Sequence, residues 1–377
     1  MIKKALNSFF VTAFTTLILA LFLSPFLYMV FTSLKSTEQM TVIGSPIWPG
    51  KSEPYVLTDA NTGTYTLKVS KSGTLVDVTI DMKDYVGKPL TVYLVPMADG
   101  TKKEMAVLQG FQKGSIMMDP KNPTAAPIAW NDGYFKGLPR AAWVWSPRFE
   151  NFAEMWKDIN YPQALWNTFY YAMVTTFSTV LSCVLVAYGF SRFRFPGRDF
   201  LFVLLISVLF LPVFVTVIPT FAFWTQVTNW GWGIGVGTWW PLILPTFFAN
   251  PYDVFLLRQY FMTLPRELDE AAMIDGAGPL RVLWSVVIPQ SYPVLVAVTV
   301  FHIVYAWNDY FGPLIYLSTK RELFPISVAL SFFNGMYGTR PELIQAGALL
   351  TLIFPLILFF MAQRFFVQGI VVTGVEK

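Results

Sequence analysis

Four carboxylates, a pair of small residues and a glycine recur at close, fixed offsets in one short stretch: Glu267, Asp269, Glu270, Ala271-Ala272, then Asp275-Gly276-Ala277. Pro265 can open a helix at its first position, where the missing N–H costs nothing. The acids that follow then lie at the positive end of that helix, where each is favoured by about 0.3–1 kcal/mol. Ala271 and Ala272 keep one flank slim enough for another backbone to approach. Gly276 and Gly278-Pro279 stop the helix and turn the chain, and Val286, Ile288 and Pro289 lead it into an apolar run. A short polar helix between two long hydrophobic spans suits docking of a soluble partner, not bond breaking. A capped surface helix of no function would share the local signs, but the spacing of the whole set weighs against that reading.

Other chemistry is poorly represented. A single cysteine, Cys183, excludes an internal disulfide and any cysteine-based metal cluster. A single histidine, His302, leaves no zinc site of the usual kind. Both fall in apolar helices and read as packing residues, although an intramembrane ionisable group such as His302 also raises the prospect of a proton relay. Neither paired acids nor a nucleophile–base pair stands near a membrane face, so no catalytic residue is assigned. Gly44 and Gly50-Lys51-Ser52 imitate a phosphate-binding loop, but five residues separate the glycines where four are needed. The chain is not expected to hydrolyse ATP itself.

The elements around the 267–276 stretch are those of a polytopic membrane protein. Hydrophobic residues make up 54% of the 377 and charged ones 13%, against about a quarter charged in soluble domains. A net charge of +4 is too small to imply nucleic acid. Residues 35–158 hold 14 of the 27 basic and 13 of the 23 acidic side chains, which marks one near-neutral, water-facing block in a charge-poor body. Residues 6–34 carry no charge until Lys35 and exceed the roughly 20 needed to cross a bilayer. They are too long for a cleaved signal peptide. Further spans are expected at 164–190, 200–224, 239–261, 291–317 and 342–363, giving six.

Orientation follows from the arginines. Arg192, Arg194 and Arg198 fall in one loop and Arg258, Arg266 and Arg281 around another, so both loops and both termini are expected in the cytoplasm. Residues of about 35–160 are then extracytoplasmic. Within them, 64–69, 74–80 and 90–95 alternate as short β-branched runs, with turns at Ser72-Gly73 and Ala98-Asp99-Gly100. The expected organisation is therefore a first span with the start of the outer loop (1–49), a β-rich module (50–140) and a five-span body (141–377). That body carries its polar loop at about 262–290. Residues 147–158 read as an amphipathic helix leading into the second span.

The spacing Glu270-Ala271-Ala272, three residues, Gly276, nine residues, Val286-x-Ile288-Pro289 resembles the EAA loop of ABC importer permeases. Val286 and Ile288 stand where the family usually has Ile and Leu. Elsewhere the chain is similar to the carbohydrate-uptake branch, in particular its maltose-permease-G-like subunits. The matching landmarks are Pro25, Ser33-Leu34-Lys35, Asn151-Phe152, Asn167-Thr168, Ala187-Tyr188-Gly189-Phe190-Ser191-Arg192, Pro212, Pro219, Trp307-Asn308-Asp309, and Gly369 with Thr373-Gly374-Val375. The resemblance covers residues 1–48 and 145–377; the β-rich module departs from it. It implies an all-α permease fold of six transmembrane helices in a bacterial or archaeal plasma membrane. It also implies carbohydrate import, with the EAA loop as a coupling helix seated in a cytoplasmic ATPase.

On that footing Glu270 is the polar anchor and Gly276 permits the bend, while Glu267, Ala271, Ala272, Asp275, Ala277 and Pro289 complete the coupling loop. The implied partners are an ATPase dimer, a second permease that is a different chain, and an extracytoplasmic sugar-binding protein. ATP and magnesium belong on the ATPase, with no cofactor or metal on this chain. Trp307, Asn308, Asp309 and Tyr310 carry two readings, an interhelical hydrogen-bond cluster and a pore-lining or substrate-facing patch. A self-contained secondary transporter would need a cluster of intramembrane carboxylates. Only Asp309 sits at membrane depth, with Asp253 nearer the cytoplasmic end of its span.

Overall fold

The uncharged N-terminal run folds as one helix, α1 (Ile2–Ser33). Every side chain from Phe9 to Tyr28 on it is exposed, and a helix apolar on all sides fits lipid rather than water. The computed structural model describes residues 2–58, 63–97, 100–141, 143–335 and 338–371. Ala98-Asp99 of the expected turn and the tail residues Thr373, Gly374 and Val375 lie outside them. The chain divides into two units, residues 1–155 with 336–349, and 156–335 with 350–377.

In the first unit α1 gives way to a short α2 (Thr37–Thr41), capped by Ser36. Ten strands follow: β1 (Gly50–Ser52), β2 (Tyr55–Val56), β3 (Thr64–Ser70), β4 (Leu75–Asp81), β5 (Pro89–Leu90), β6 (Val92–Pro96), β7 (Lys102–Gly110), β8 (Ser115–Met118), β9 (Ile128–Trp130) and β10 (Trp143–Trp145). Strands β6-β7-β8-β9 form an antiparallel sheet, and β3-β4, β2-β5 and β1-β10 pair as ribbons. The three expected runs thus appear as β3, β4 and the β5–β6 pair. Gly73, at φ +113°, turns β3 into β4. Leu57, Val69, Met82, Ile116 and Met118 are buried at the centre of the module.

The module reaches further than 140. Gly50 lies opposite Trp145 and Ser52 opposite Trp143, so its first and last strands close it like a neck. Gly50-Lys51-Ser52 is accordingly a strand. Asn151, at the start of α3 (Glu150–Asp158), donates from Nδ2 to the carbonyls of Ser33 and Lys35 at 2.7 and 2.8 Å. The first is a carbonyl that the end of α1 leaves without a helical partner, and the second lies just beyond it.

A charged cluster completes this unit. Arg340 donates to Glu154 Oε1 at 2.5 Å and to Glu342 Oε1 at 3.1 Å, and Thr37 Oγ1 donates to the same Glu342 oxygen at 2.6 Å. The Arg340 hydrogen bond holds the Glu154 carboxyl below its ordinary value of 4.5. A carboxyl so lowered contributes stability that is complete above the ordinary value and lost as pH falls through the folded one. Acid titration of thermal unfolding should therefore reveal a loss starting near 4.5 in the wild type. Glu154→Gln should lack that part of the loss; an identical acid profile would contradict it.

The second unit is helical: α4 (Tyr161–Arg192), α5 (Arg198–Ser207), α6 (Val213–Asn229), α7 (Trp240–Ile243), α8 (Pro251–Thr263), α9 (Arg266–Ile274), α10 (Pro279–Val282), α11 (Ile288–Gln290), α12 (Tyr292–Trp307), α13 (Phe311–Leu317), α14 (Ile326–Ser331) and most of α15 (Pro341–Val371). Among the described residues, three helical stretches are long and apolar enough to cross a membrane: Phe9–Ser33, Tyr161–Arg192 and Pro341–Arg364. Two bent pairs could each make one more.

The expected span at 200–224 is two helices bent by 98°. Pro212 has no N–H to offer and drives Leu211 out of the helical region, to ψ 121°. The one expected at 239–261 is split into α7, a 3₁₀ turn (Leu244–Phe248) and α8. Ala249 breaks it at φ +65°, a strained value for a residue with a Cβ, and Asn250 Oδ1 then caps α8 by accepting from Tyr252 and Asp253. The one at 291–317 breaks after Trp307, at Asn308-Asp309-Tyr310.

Cys183, Val184, Ala187 and Tyr188 of α4 pack against Val254, Leu257 and Phe261 of α8, and against Val282, Leu283, Val287 and Val298 beyond the polar loop. Cys183 is fully buried, and its sulfur accepts from the Asn250 N–H. His302 makes a 3.2 Å contact with Thr179 Oγ1.

Candidate functional site

The chain leaves α8 at Leu264, is turned by Pro265, and forms α9 over Arg266–Ile274. Pro265 is the N-cap residue rather than the first helical one, with Glu267 and Asp269 in the first turn. Nine residues are too few for a helix to persist on propensity alone, so its ends and its buried flank must hold it.

At the C-terminal end the backbone closes a Schellman motif. The N–H of Gly276 bonds the Met273 carbonyl at 3.0 Å, and that of Ala277 bonds the Ala272 carbonyl at 2.9 Å. These are the 5→2 and 6→1 bonds of the motif, and they require a left-handed residue at the position Gly276 occupies. Gly276 has φ +83°. Ala272 and Ala277, the pair such a motif brings together, are half-buried against the α4–α8 core.

Helical spacing then divides the side chains. Glu267, Glu270, Ala271 and Ile274, at i, i+3, i+4 and i+7, share one face, and all are exposed. Ile274 is 86% exposed, Met273 54%, and Leu280 just after the turn 64%. Acids and bare apolar groups side by side form a surface that water solvates poorly and a partner could cover. Asp275 is exposed as the C-cap residue, and Pro289 is also exposed but sits in α11 on the returning limb. The spacing-predicted residues thus gather on α9 and its turn, except for Pro289.

The opposite face is held by pairings that spacing did not foresee. Asp269 is buried and forms a 2.9 Å ion pair with Nε of Arg192, the last residue of α4. Burial pushes the Asp269 carboxyl up, with the charges of Arg192 and Arg266 opposing. Nη1 and Nη2 of Arg192 also donate to the Leu264 carbonyl at 3.3 and 3.4 Å. One turn earlier on α4, Tyr188 donates its hydroxyl to the Pro279 carbonyl at 3.0 Å. One signal was available: Asp269 lies off the Glu267–Glu270 face and needs a cation.

Between Val282 and Ile288 the returning limb forms a π turn, Leu283–Val287. It ends at Ser291, where the chain bends by 83° into α12.

At the other end of α12 the Trp307–Tyr310 group separates. Trp307 is buried, stacks on Phe354 at 4.3 Å and donates to the Thr351 carbonyl at 3.2 Å. Asp309 Oδ2 accepts from the Tyr171 hydroxyl at 2.7 Å, and its Oδ1 accepts from the Gly312 N–H at 3.2 Å. Asn308 and Tyr310 are exposed. Among the described residues no three His, Cys, Asp or Glu side chains are grouped so as to hold a metal ion.

The chain is 32% identical over 227 residues to the osmoprotective compounds uptake permease protein GgtD of Synechocystis sp., covering 60% of this chain and 74% of that one. It is 30% identical over 210 residues to the arabinooligosaccharides transport system permease protein AraQ of Halalkalibacterium halodurans, covering 56% and 72%. In fold it is similar to a chain of the crystal structure of a bacterial ABC transporter involved in import of the acidic polysaccharide alginate. That likeness has a TM-score of 0.51 at 22% identity and covers 59% of this chain and 82% of that one. Residues 181–372 match the family described as binding-protein-dependent transport system inner membrane component, and the chain belongs to that family, as a permease component of an ABC importer.

Proposed function

We propose that the chain moves a carbohydrate or polyol into the cytoplasm and takes its energy from a separate ATPase dimer that seats α9 in a cleft. The observation that carries this reading is the outward face of α9: Glu267, Glu270, Ala271 and Ile274 exposed on a helix whose far end Gly276 fixes. Glu270 is the polar anchor, Ala271 and Ala272 allow close approach, and Asp275, Gly276 and Ala277 shape the end of the contact. Pro289 starts the return to the membrane. ATP and magnesium sit on the ATPase. The substrate class is supported by the carbohydrate in the name of one relative.

In this reading each bent helix pair and the broken α7–α8 segment complete a crossing, giving six, with both termini in the cytoplasm and residues of about 35–160 outside. A second permease chain completes the pathway, and Asn308 and Tyr310 face it from the break after α12. Trp307 and Asp309 serve that break from within. Uptake of labelled oligosaccharides and polyols by cells lacking this chain should be restored by the wild type and not by Glu270→Arg. Equal restoration by both would overturn the coupling role.

The β-rich module, on this reading outside the membrane, docks the extracytoplasmic binding protein. Its neck makes the test clean, because Gly50 and Trp145 are already paired and residues 51–144 can be replaced by a two-residue turn. The excised chain should keep its ATPase and lose binding-protein docking and uptake. Unchanged docking would contradict the assignment.

A further inference from the structure

We propose that Arg192 and Asp269 form a strut through which displacement of α9 is delivered to α4, so that the two move as one body. The inference rests on α9 being the ATPase contact, and concerns how its motion enters the membrane.

Apolar packing cannot do this alone. Helix α9 is nine residues long, and only Ala272 on it joins the neighbouring core, as a half-buried contact. Arg192 supplies what packing lacks. Its guanidinium meets the Asp269 carboxylate at 2.9 Å and the Leu264 carbonyl at 3.3 and 3.4 Å. One planar group therefore ties the end of α4, the end of α8 and the buried side of α9. The Asp269 contact is an ion pair without an aligned hydrogen bond at Nε. Direction comes from the two N–H groups on the Leu264 carbonyl and from the rigid plane of the guanidinium, which an ammonium on a flexible stem lacks. Both side chains are less than one-tenth exposed, so water neither screens the pair nor replaces either partner.

Tyr188 makes the grip two-sided. It lies four residues before Arg192, on the same face of α4, and holds Pro279 at 3.0 Å. The loop from Leu264 to Pro279 is thus fastened to α4 at both ends, leaving the Glu270 face free. The far part of α4 is fastened as well. Asn167 Nδ2 donates to the Glu322 and Phe324 carbonyls, Thr168 Oγ1 accepts from the Ile326 N–H, and Tyr171 donates to Asp309. Arg192 and Asn167 are about 37 Å apart along the helix at 1.5 Å per residue. Helix α4 can therefore carry a push at α9 to the break at Asn308–Tyr310.

Arg192 and Asp269 are positioning residues, so the test follows motion rather than activity alone. Spin labels go on Leu268→Cys, on α9 but off the Glu267–Ile274 face, and on Phe177→Cys, both exposed, in the permease–ATPase complex purified from native membranes. The native Cys183 is fully buried and stays unlabelled. The label separation should change by no more than about 2 Å between nucleotide-free and ATP-trapped wild type, within the range of small helix shifts. In Asp269→Asn and in Arg192→Gln it should broaden or lengthen on trapping ATP. Both variants should still retain the ATPase and hydrolyse ATP, but import at least about 10-fold less substrate per ATP. The exchange Arg192→Asp with Asp269→Arg should recover the narrow distribution. Tyr188→Phe, which removes one hydroxyl, should show the same defect in weaker form if the ion-pair variants fail to fold.

A separation that changes by more than about 5 Å in the wild type would overturn the strut, because α9 would then move independently of α4. So would import and hydrolysis falling in parallel in the variants. Absence of an ATPase from the wild-type preparation would instead remove the docking assignment on which the strut rests.

Discussion

Replacing Gly276 with proline is expected to abolish ATP-driven import while the chain still inserts into the membrane. Proline fixes φ near −65°, whereas Gly276 stands at +83°. It also removes the N–H that bonds the Met273 carbonyl at 3.0 Å. The Schellman turn cannot form, and residues 277–289 leave α9 in another direction. Crowding is not the cause, since nothing lies within 4 Å of an added Cβ. A graded series follows. Gly276→Asn should be nearly neutral, and Gly276→Ala should cost about 1–2 kcal/mol from the left-handed backbone alone. Gly276→Pro should be inactive. Import by reconstituted complexes checks the order; alanine as damaging as proline would show that the backbone angle is not what matters.

The second large effect is expected at Arg340→Ala, in the first unit. Glu342 is fully buried, its Oε2 has no hydrogen-bond partner, and its Oε1 takes both Arg340 and Thr37. Removing the guanidinium leaves that carboxylate buried without its counter-charge and leaves Glu154 only the looser contact with Arg148 at 3.8 Å. Breaking one side of such a pair typically costs about 3–5 kcal/mol. Thermal unfolding followed by tryptophan fluorescence should show a marked fall. The double variant Arg340→Met with Glu342→Leu should recover most of it, because an apolar pair of similar volume removes the fully buried charge, while Glu154 stays partly exposed beside Arg148. If Arg340→Ala unfolds at the wild-type temperature, the cluster is ornamental.

The 265–277 loop was the part most legible in the sequence, because its logic is local. Proline at the start, acids in the first turn and glycine at the left-handed position each act within four residues; the structure places the acids and the glycine accordingly and the proline one position earlier, as the N-cap. The β-rich module was legible as alternating runs, but its closure was not. Gly50 and Trp145 are 95 positions apart, and no pattern in either strand announces the other. Hydropathy marked every apolar segment, yet averaged over the breaks at Pro212, Ala249 and Asn308. Prolines alone could not locate them: Pro25 and Pro355 lie inside unbroken helices, and the break at 249–250 turns on an alanine.

Arg192 shows the same limit from another side. Its charge raised an expectation about which side of the membrane its loop faces, while its partners lie 72 and 77 positions away. Trp307 and Asp309 proved to be engaged with Thr351 and Tyr171, pairings that require the helices to be packed first. What sequence offers there is a polar group in an apolar run; what it withholds is the partner.

The most direct measurement is to solubilise the tagged full chain from its native membrane and identify what co-purifies, comparing the wild type with Glu270→Arg. An ATPase bound to the wild type and lost from the variant is the predicted result. A well-folded wild-type preparation without any ATPase, or equal recovery with Glu270→Arg, would contradict the assignment of α9 as the coupling helix.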